Sequence, residues 1–260
     1  CLNVSAGIGV IGMASPMLQE IFGGKLIGLP DVGFNQLDAA QKATIAGIAA
    51  GFAGLLSLFN IGGRFFWASL SDKIGRKNTY YTFFILGIAL YALAPTFAAM
   101  GSKLLFVLGF SIILSMYGGG FATVPAYLAD MFGTQFVGAI HGRLLTAWST
   151  AGIIGPVVVN YIREAQLAAG VPRDHLYDYT LYILAGIVAL TFALHVVLTR
   201  TWFGRAVRAV TQDAFGAAIC GVASARIHAL TFGLGCAIVA IAGILYAMNF
   251  PVDPYSGFNL

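Results

Sequence analysis

In the stretch Gly62–Lys77, GGRFFWASLSDKIGRK, one arginine, Arg64, stands alone inside an apolar segment. A guanidinium in such surroundings is costly, so it either holds an anion or snorkels to an interface as a structural residue. No acidic residue shares its apolar segment, which favours the anion-holding role. Further on, Asp72 can accept hydrogen bonds from Arg76 and from the positive N-terminus of a neighbouring helix. Gly75 between them, with Lys73 and Lys77, makes a tight cationic turn that ends the segment.

Other residues with chemical potential resolve into blander roles. Tyr117 and Phe121 lie one helical turn apart, and such a pair either walls a small cavity or packs. Gly7, Gly9 and Gly12 spell GxGxxG, with Asp31 at a tempting distance, but no strand precedes them and Pro16 with an apolar run follows. Helix-packing glycines are expected there, not a dinucleotide cradle. His141, His175, His195 and His228 show no metal-ligand spacing, and Cys1, Cys220 and Cys236 show none either. No hydrolytic triad, phosphate loop or cofactor pattern emerges, so an enzyme is not expected.

The elements that must position Arg64 are membrane spans. Of 260 residues, 59% are hydrophobic and 9% charged, against about 25% charged in soluble domains. The fold class expected is all-α and polytopic. Stretches long enough to cross a bilayer run at 3–22, 44–67, 78–98, 103–128, 142–162, 177–198 and 228–250, seven spans with short connections. The net charge of +4 sits at helix ends rather than along one face, which fits orientation in a lipid membrane and not nucleic acid. A cytoplasmic Asp72–Lys77 turn also places Arg143, Arg200, Arg205, Arg208 and Arg226 inside, a bias that supports this orientation of a multi-pass membrane protein. Segments 23–42 and 164–178, which carry Pro30 and Pro172, are expected as external loops. Gly47, Gly51 and Gly54 line one side of the second span, Gly118–Gly120 are expected to interrupt the fourth, and Gly152 and Gly155 mark the fifth. Pro125 and Pro156 bend their helices.

The turn carried by Ser69, Asp72, Lys73, Gly75, Arg76 and Lys77 resembles the signature loop of the major facilitator superfamily. NVSAGIGVIGMASP, YGGGFATVPAYLADMFG and HGRLLTAWSTAGIIGP are similar to the C-terminal half of its oxalate:formate antiporter branch. The resemblance implies that 1–200 supplies helices seven to twelve of a twelve-helix transporter, with the N-terminal half a missing partner and Cys1 an internal residue of a longer chain. It implies substrate-binding roles for Arg64, for Tyr117 and Phe121, and for Trp148, which stands where that branch has a lysine. With one cation fewer, a monocarboxylate or other small organic anion is expected in preference to a dianion. Asp72, Gly75, Arg76 and Lys77 would form the gating loop.

After Val197 the character changes to an arginine-rich amphipathic run, and residues 201–260 resemble the permease subunit of branched-chain amino-acid ABC importers. That resemblance rests on FGRAVRAV at 203–210, Asp213, Ala217, Gly221 and VDPYSGF at 252–258. It implies a coupling helix around Asp213–Gly221 that docks on an ATPase partner, although Phe215 replaces the usual glutamate and Gly216 the first of two alanines. The expected function is transport of a small organic anion by alternating access within a complete transporter. The alternatives are a non-functional composite of two gene fragments, a permease of an ATP-driven amino-acid importer, and a seven-span receptor or retinal protein. The last is weakest, because the final span has no lysine to hold a retinal.

Overall fold

A computed structural model describes residues 2–29 and 32–247. Cys1, Pro30, Asp31, the end of the seventh expected span at 248–250 and the VDPYSGF run lie outside the described residues. The protein is an all-α polytopic membrane protein: among the described residues six helices are long and apolar enough to span a bilayer. The chain forms two compact units, Cys1–Phe192 and Ala193–Leu260, each described on its own.

In the first unit, α1 (Leu2–Phe22), α2 (Ala39–Ile74), α3 (Arg76–Ala99), α4 (Lys103–Phe132), α5 (Val137–Ala168) and the start of α6 (Asp178–Arg200) follow the apolar stretches. Several outrun them, because hydropathy marks the lipid-buried part while capping extends a helix into water. For α2 the Asp38 carboxylate accepts from Gln41 N at 2.7 Å and the Gln41 side chain accepts from Asp38 N at 3.0 Å. The α2 rod of 36 residues is some 54 Å long at about 1.5 Å per residue, well beyond a 30 Å hydrocarbon core.

Two close crossings hold the bundle together. At the α2–α4 crossing a Cβ on Gly63 would lie 2.1 Å from Ser115 O, and one on Gly118 2.1 Å from Asn60 O. At the α1–α5 crossing a Cβ on Gly155 would lie 2.5 Å from Ser5 O. Backbones this close give dispersion contact that lipid cannot replace. Trp67 Nε1 donates to Ser115 Oγ at 3.2 Å and Tyr80 Oη to Gly120 O at 3.2 Å, adding polar ties of α2 and α3 to α4.

Two expectations are corrected here. Gly118–Gly120 do not interrupt the fourth span: α4 is continuous, because the carbonyl-to-amide ladder closes and the missing side chains admit Asn60 and Trp67 instead. Gly47, Gly51 and Gly54 bring no helix close within this chain, each having open space where its Cβ would stand. The proline positions Pro16, Pro95, Pro125 and Pro156 all fall inside unbroken helices.

In the second unit, α7 (Trp202–Gln212), α8 (Ala214–Ile219) and α9 (Ser224–Ala247) follow the end of α6. Ala206, Val210, Ala217 and Ile227 form its small buried core. Gly204 is required by contact, since a Cβ there would lie 1.9 Å from Leu198 O. The expected seventh span falls on α9 as far as Ala247.

Candidate functional site

Tyr117 and Phe121 project from one face of α4, as their spacing of four requires, and α5 brings Trp148 to both. Trp148 Nε1 donates to Tyr117 Oη at 2.9 Å, and the Phe121 and Trp148 rings meet edge to face with centroids 5.6 Å apart. Room for the Tyr117 ring comes from α1: a Cβ on Gly7 would lie 2.4 Å from Tyr117 Cδ2. Arg64, on α2, places its guanidinium carbon 5.6 Å from the Phe121 centroid. The stack is worth about 0.5–1 kcal/mol at an exposed position, and it leaves the guanidinium donors available to a ligand. All four residues that sequence reasoning singled out for substrate therefore belong to one chain of contacts: Arg64 to Phe121, Phe121 to Trp148, Trp148 to Tyr117.

A cavity of about 260 Å³ opens beside this cluster, within the first unit. Tyr117, Phe121 and Trp148 line it, whereas Arg64 does not. Thus the aromatic members form a wall of the cavity, and Arg64 touches that wall at Phe121 without lining it.

The cationic turn is a second, separate arrangement. Gly75 adopts φ 87° and ψ 143°, a left-handed region that favours glycine, and its N–H closes on Ser71 O at 3.1 Å. Arg76 pairs with Asp72 at 2.5 Å, hydrogen-bonds Ser71 Oγ, and reaches across to Asp130 on α4 at 3.6 Å. Lys77 is exposed beside it. One guanidinium thereby links the end of α2, the start of α3 and the end of α4.

In the second unit Asp213 caps α8, its carboxylate accepting from Phe215 N and Gly216 N at 3.0 Å each. Ala217 is buried in the small core, and Gly221 takes φ 81° to turn the chain into α9. Phe215, in place of an expected glutamate, is 78% exposed.

Three features escaped the sequence reading. Asp130 was not recognised as a partner of Arg76, since nothing local marks it. His141 lines the aromatic cavity, a placement that depends on the rotation of α5. Glu20 is buried within α1 and gathers partners from distant segments: Arg163 as a salt bridge and hydrogen bond, Tyr177 Oη at 2.6 Å and Arg173 at 3.1 Å. The available signal was a lone carboxylate at the end of an otherwise uncharged apolar run, the mirror image of Arg64.

Comparison with known proteins adds a family direction. The chain is 34% identical over 134 residues to the oxalate:formate antiporter of Oxalobacter formigenes, covering 52% of this chain and 31% of that protein. It is 34% identical over 92 residues to the glucose transporter GlcP of Staphylococcus epidermidis, covering 35% of this chain and 20% of that protein. With the branched-chain amino acid permease protein LivH of Escherichia coli it shares 39% identity over 67 residues, 25% of this chain and 22% of that protein. This is a multi-pass protein of a bacterial inner membrane. Its relatives are membrane transport proteins. The chain spans less than one third of the length of these curated relatives. No family profile and no solved structure matches it.

Proposed function

We propose that residues 1–200 are one half of a major facilitator transporter, and that the substrate is a small organic anion carried by alternating access. The observation that carries this reading is the Arg64 guanidinium stacked on Phe121, next to the Trp148–Tyr117 pair. Its donors supply charge-assisted hydrogen bonds to a carboxylate, and the rings fix the orientation of what is bound. Identity to an oxalate:formate antiporter supports the substrate class.

Trp148 offers one neutral donor, already given to Tyr117, and no charge. A dianion desolvated beside Arg64 alone would keep one charge uncompensated, so a monocarboxylate is the preferred ligand. The test is binding of labelled formate, lactate and oxalate to the purified chain in detergent, and exchange of the same anions by a complete transporter. Arg64→Gln should abolish monocarboxylate binding without unfolding the protein. Oxalate exchange as rapid as that of monocarboxylates would overturn the selectivity. In alternating access, the Arg76 contacts to Asp72 and Asp130 would be made in one state and broken in the other.

For residues 201–260 a second reading is favoured by identity to a LivH permease: an ABC permease fragment whose Asp213–Gly221 segment docks on an ATPase. The exposed Phe215 presents an apolar contact there in place of a charge. Co-purification with a branched-chain importer ATPase checks it, and failure to bind would favour a composite in which this part has no role.

A further inference from the structure

The second unit carries a charged surface that neither transport reading uses. Between Ala193 and Ala247 the sequence holds Arg200, Arg205, Arg208 and Arg226 against a single acidic residue, Asp213. The Asp213 carboxylate is turned into α8, where it accepts from the Phe215 and Gly216 amides.

The short helix α7 has two distinct sides. Phe203, Ala206, Val207 and Val210 pack into the small core, so its apolar side is covered by protein. Arg205, Arg208 and Gln212, at the spacing i, i+3 and i+7, share the opposite side. Arg205 is exposed, and Arg208 is held by a hydrogen bond from Nη1 to Leu198 O in the last turn of α6. Gly204 meets the same carbonyl, which folds α7 directly against that turn. Since α6 is an apolar helix of bilayer length that ends at Arg200, the two arginines stand where the chain leaves the hydrocarbon.

Apolar side chains flank this cationic side in the open. Trp202, in the first turn of α7, is 61% exposed, and Phe215 and Ile219, four apart on α8, are more exposed still. Tryptophan and arginine together at the end of a span are what a membrane interface favours. A free phosphate ion would leave these three side chains in water. An anionic phospholipid engages both sets, its phosphate meeting the arginine forks and its glycerol and upper acyl chains meeting the rings.

We propose that α7 and α8 form a binding site for an anionic phospholipid, with Arg205 and Arg208 holding the headgroup and Trp202 resting at the acyl boundary. The site requires neither anion transport nor an ATPase.

The probe is phosphatidylglycerol brominated in its acyl chains, added to the full chain in detergent, with brominated phosphatidylcholine as the zwitterionic control. Quenching of tryptophan fluorescence reads binding. Each arginine near an anionic headgroup contributes roughly a fivefold gain, so the two should favour phosphatidylglycerol by about 25-fold. Arg205→Gln should weaken phosphatidylglycerol about fivefold and leave phosphatidylcholine unchanged, and it keeps the test open if Arg208→Gln unfolds by losing its tie to Leu198. Trp202→Phe should remove the phosphatidylglycerol-dependent part of the quenching, although Trp67 and Trp148 remain. Arg64→Gln should leave all of this unchanged, whatever it does to carboxylate binding. Equal affinity for the two lipids, unchanged affinity in Arg205→Gln, or full quenching in Trp202→Phe would overturn the proposal. Displacement of the lipid by inorganic phosphate would assign the arginines to a free anion instead. Capture of a branched-chain importer ATPase that depends on Arg205 and is indifferent to the lipid would overturn it in favour of protein docking.

Discussion

Trp148 donates its indole N–H to the Tyr117 hydroxyl at 2.9 Å, tying α5 to α4 across the aromatic wall. The bond occupies the indole donor and sets the plane of both rings, while Phe121 meets the same indole edge to face. The position that resembles a lysine site is thus filled by a neutral brace.

Replacing that brace separates its roles. Trp148→Phe keeps an aromatic ring and deletes the donor, so stability should fall by about 1 kcal/mol, the net worth of one hydrogen bond. Trp148→Lys adds a second cation to the Arg64 cluster and should raise the affinity for oxalate relative to formate by about tenfold. Competition binding against a labelled monocarboxylate reads the ratio, and an unchanged ratio would place the anion elsewhere.

The two sets of glycines should respond in opposite ways to a methyl group. Gly63→Ala drives a Cβ to 2.1 Å from the Ser115 carbonyl oxygen, and α2 and α4 must part, which should cost about 2 kcal/mol or more. Gly47→Ala meets nothing and gains helix propensity, so it should be neutral or stabilising by up to about 1 kcal/mol. Thermal unfolding of both variants in one detergent compares them directly.

Glu20 is buried against the partly exposed Arg163, which also pairs with Glu164, while Glu20 also holds Arg173 and Tyr177. Glu20→Gln should destabilise by about 1–3 kcal/mol, the loss of hydrogen bonds to a charged group, and less than stranding a fully buried charge would cost. The double variant Glu20→Gln with Arg163→Gln should cost less than the sum of the two single changes, because both single changes lose the same Glu20–Arg163 contact. A double-mutant cycle by denaturant or heat measures the coupling, and strict additivity would mean that the pair contributes nothing.

Arg76 should matter little for stability and much for turnover. Both of its carboxylate partners are more than half exposed, and surface pairs are worth about 0–1 kcal/mol, so Arg76→Gln should shift unfolding by no more than that. If the contacts bias the open and closed states, anion counterflow by a complete transporter should drop at least about tenfold in the same variant. Equal, small losses in both assays would make Arg76 a local brace only.

Much was legible in the residues themselves, where the determining physics is local. Apolar runs of bilayer length located α1 to α6, since a backbone in lipid must satisfy its own hydrogen bonds and a helix does so within the segment. The turn at Gly75 and the Asp72–Arg76 pair were likewise readable, since both depend on residues close in sequence around one glycine that can reverse the chain. Tertiary structure decided the rest: Asp130 beside Arg76, Glu20 with an arginine 143 positions away, and His141 in the aromatic cavity. It also decided that Gly63 and Gly118, not Gly47, Gly51 and Gly54, mediate a crossing. In a water-soluble helix the polar face reports which side is buried. In a membrane span the lipid-facing and protein-facing sides are both apolar, so helix rotation and crossing point leave little trace in the pattern, and only packing resolves them.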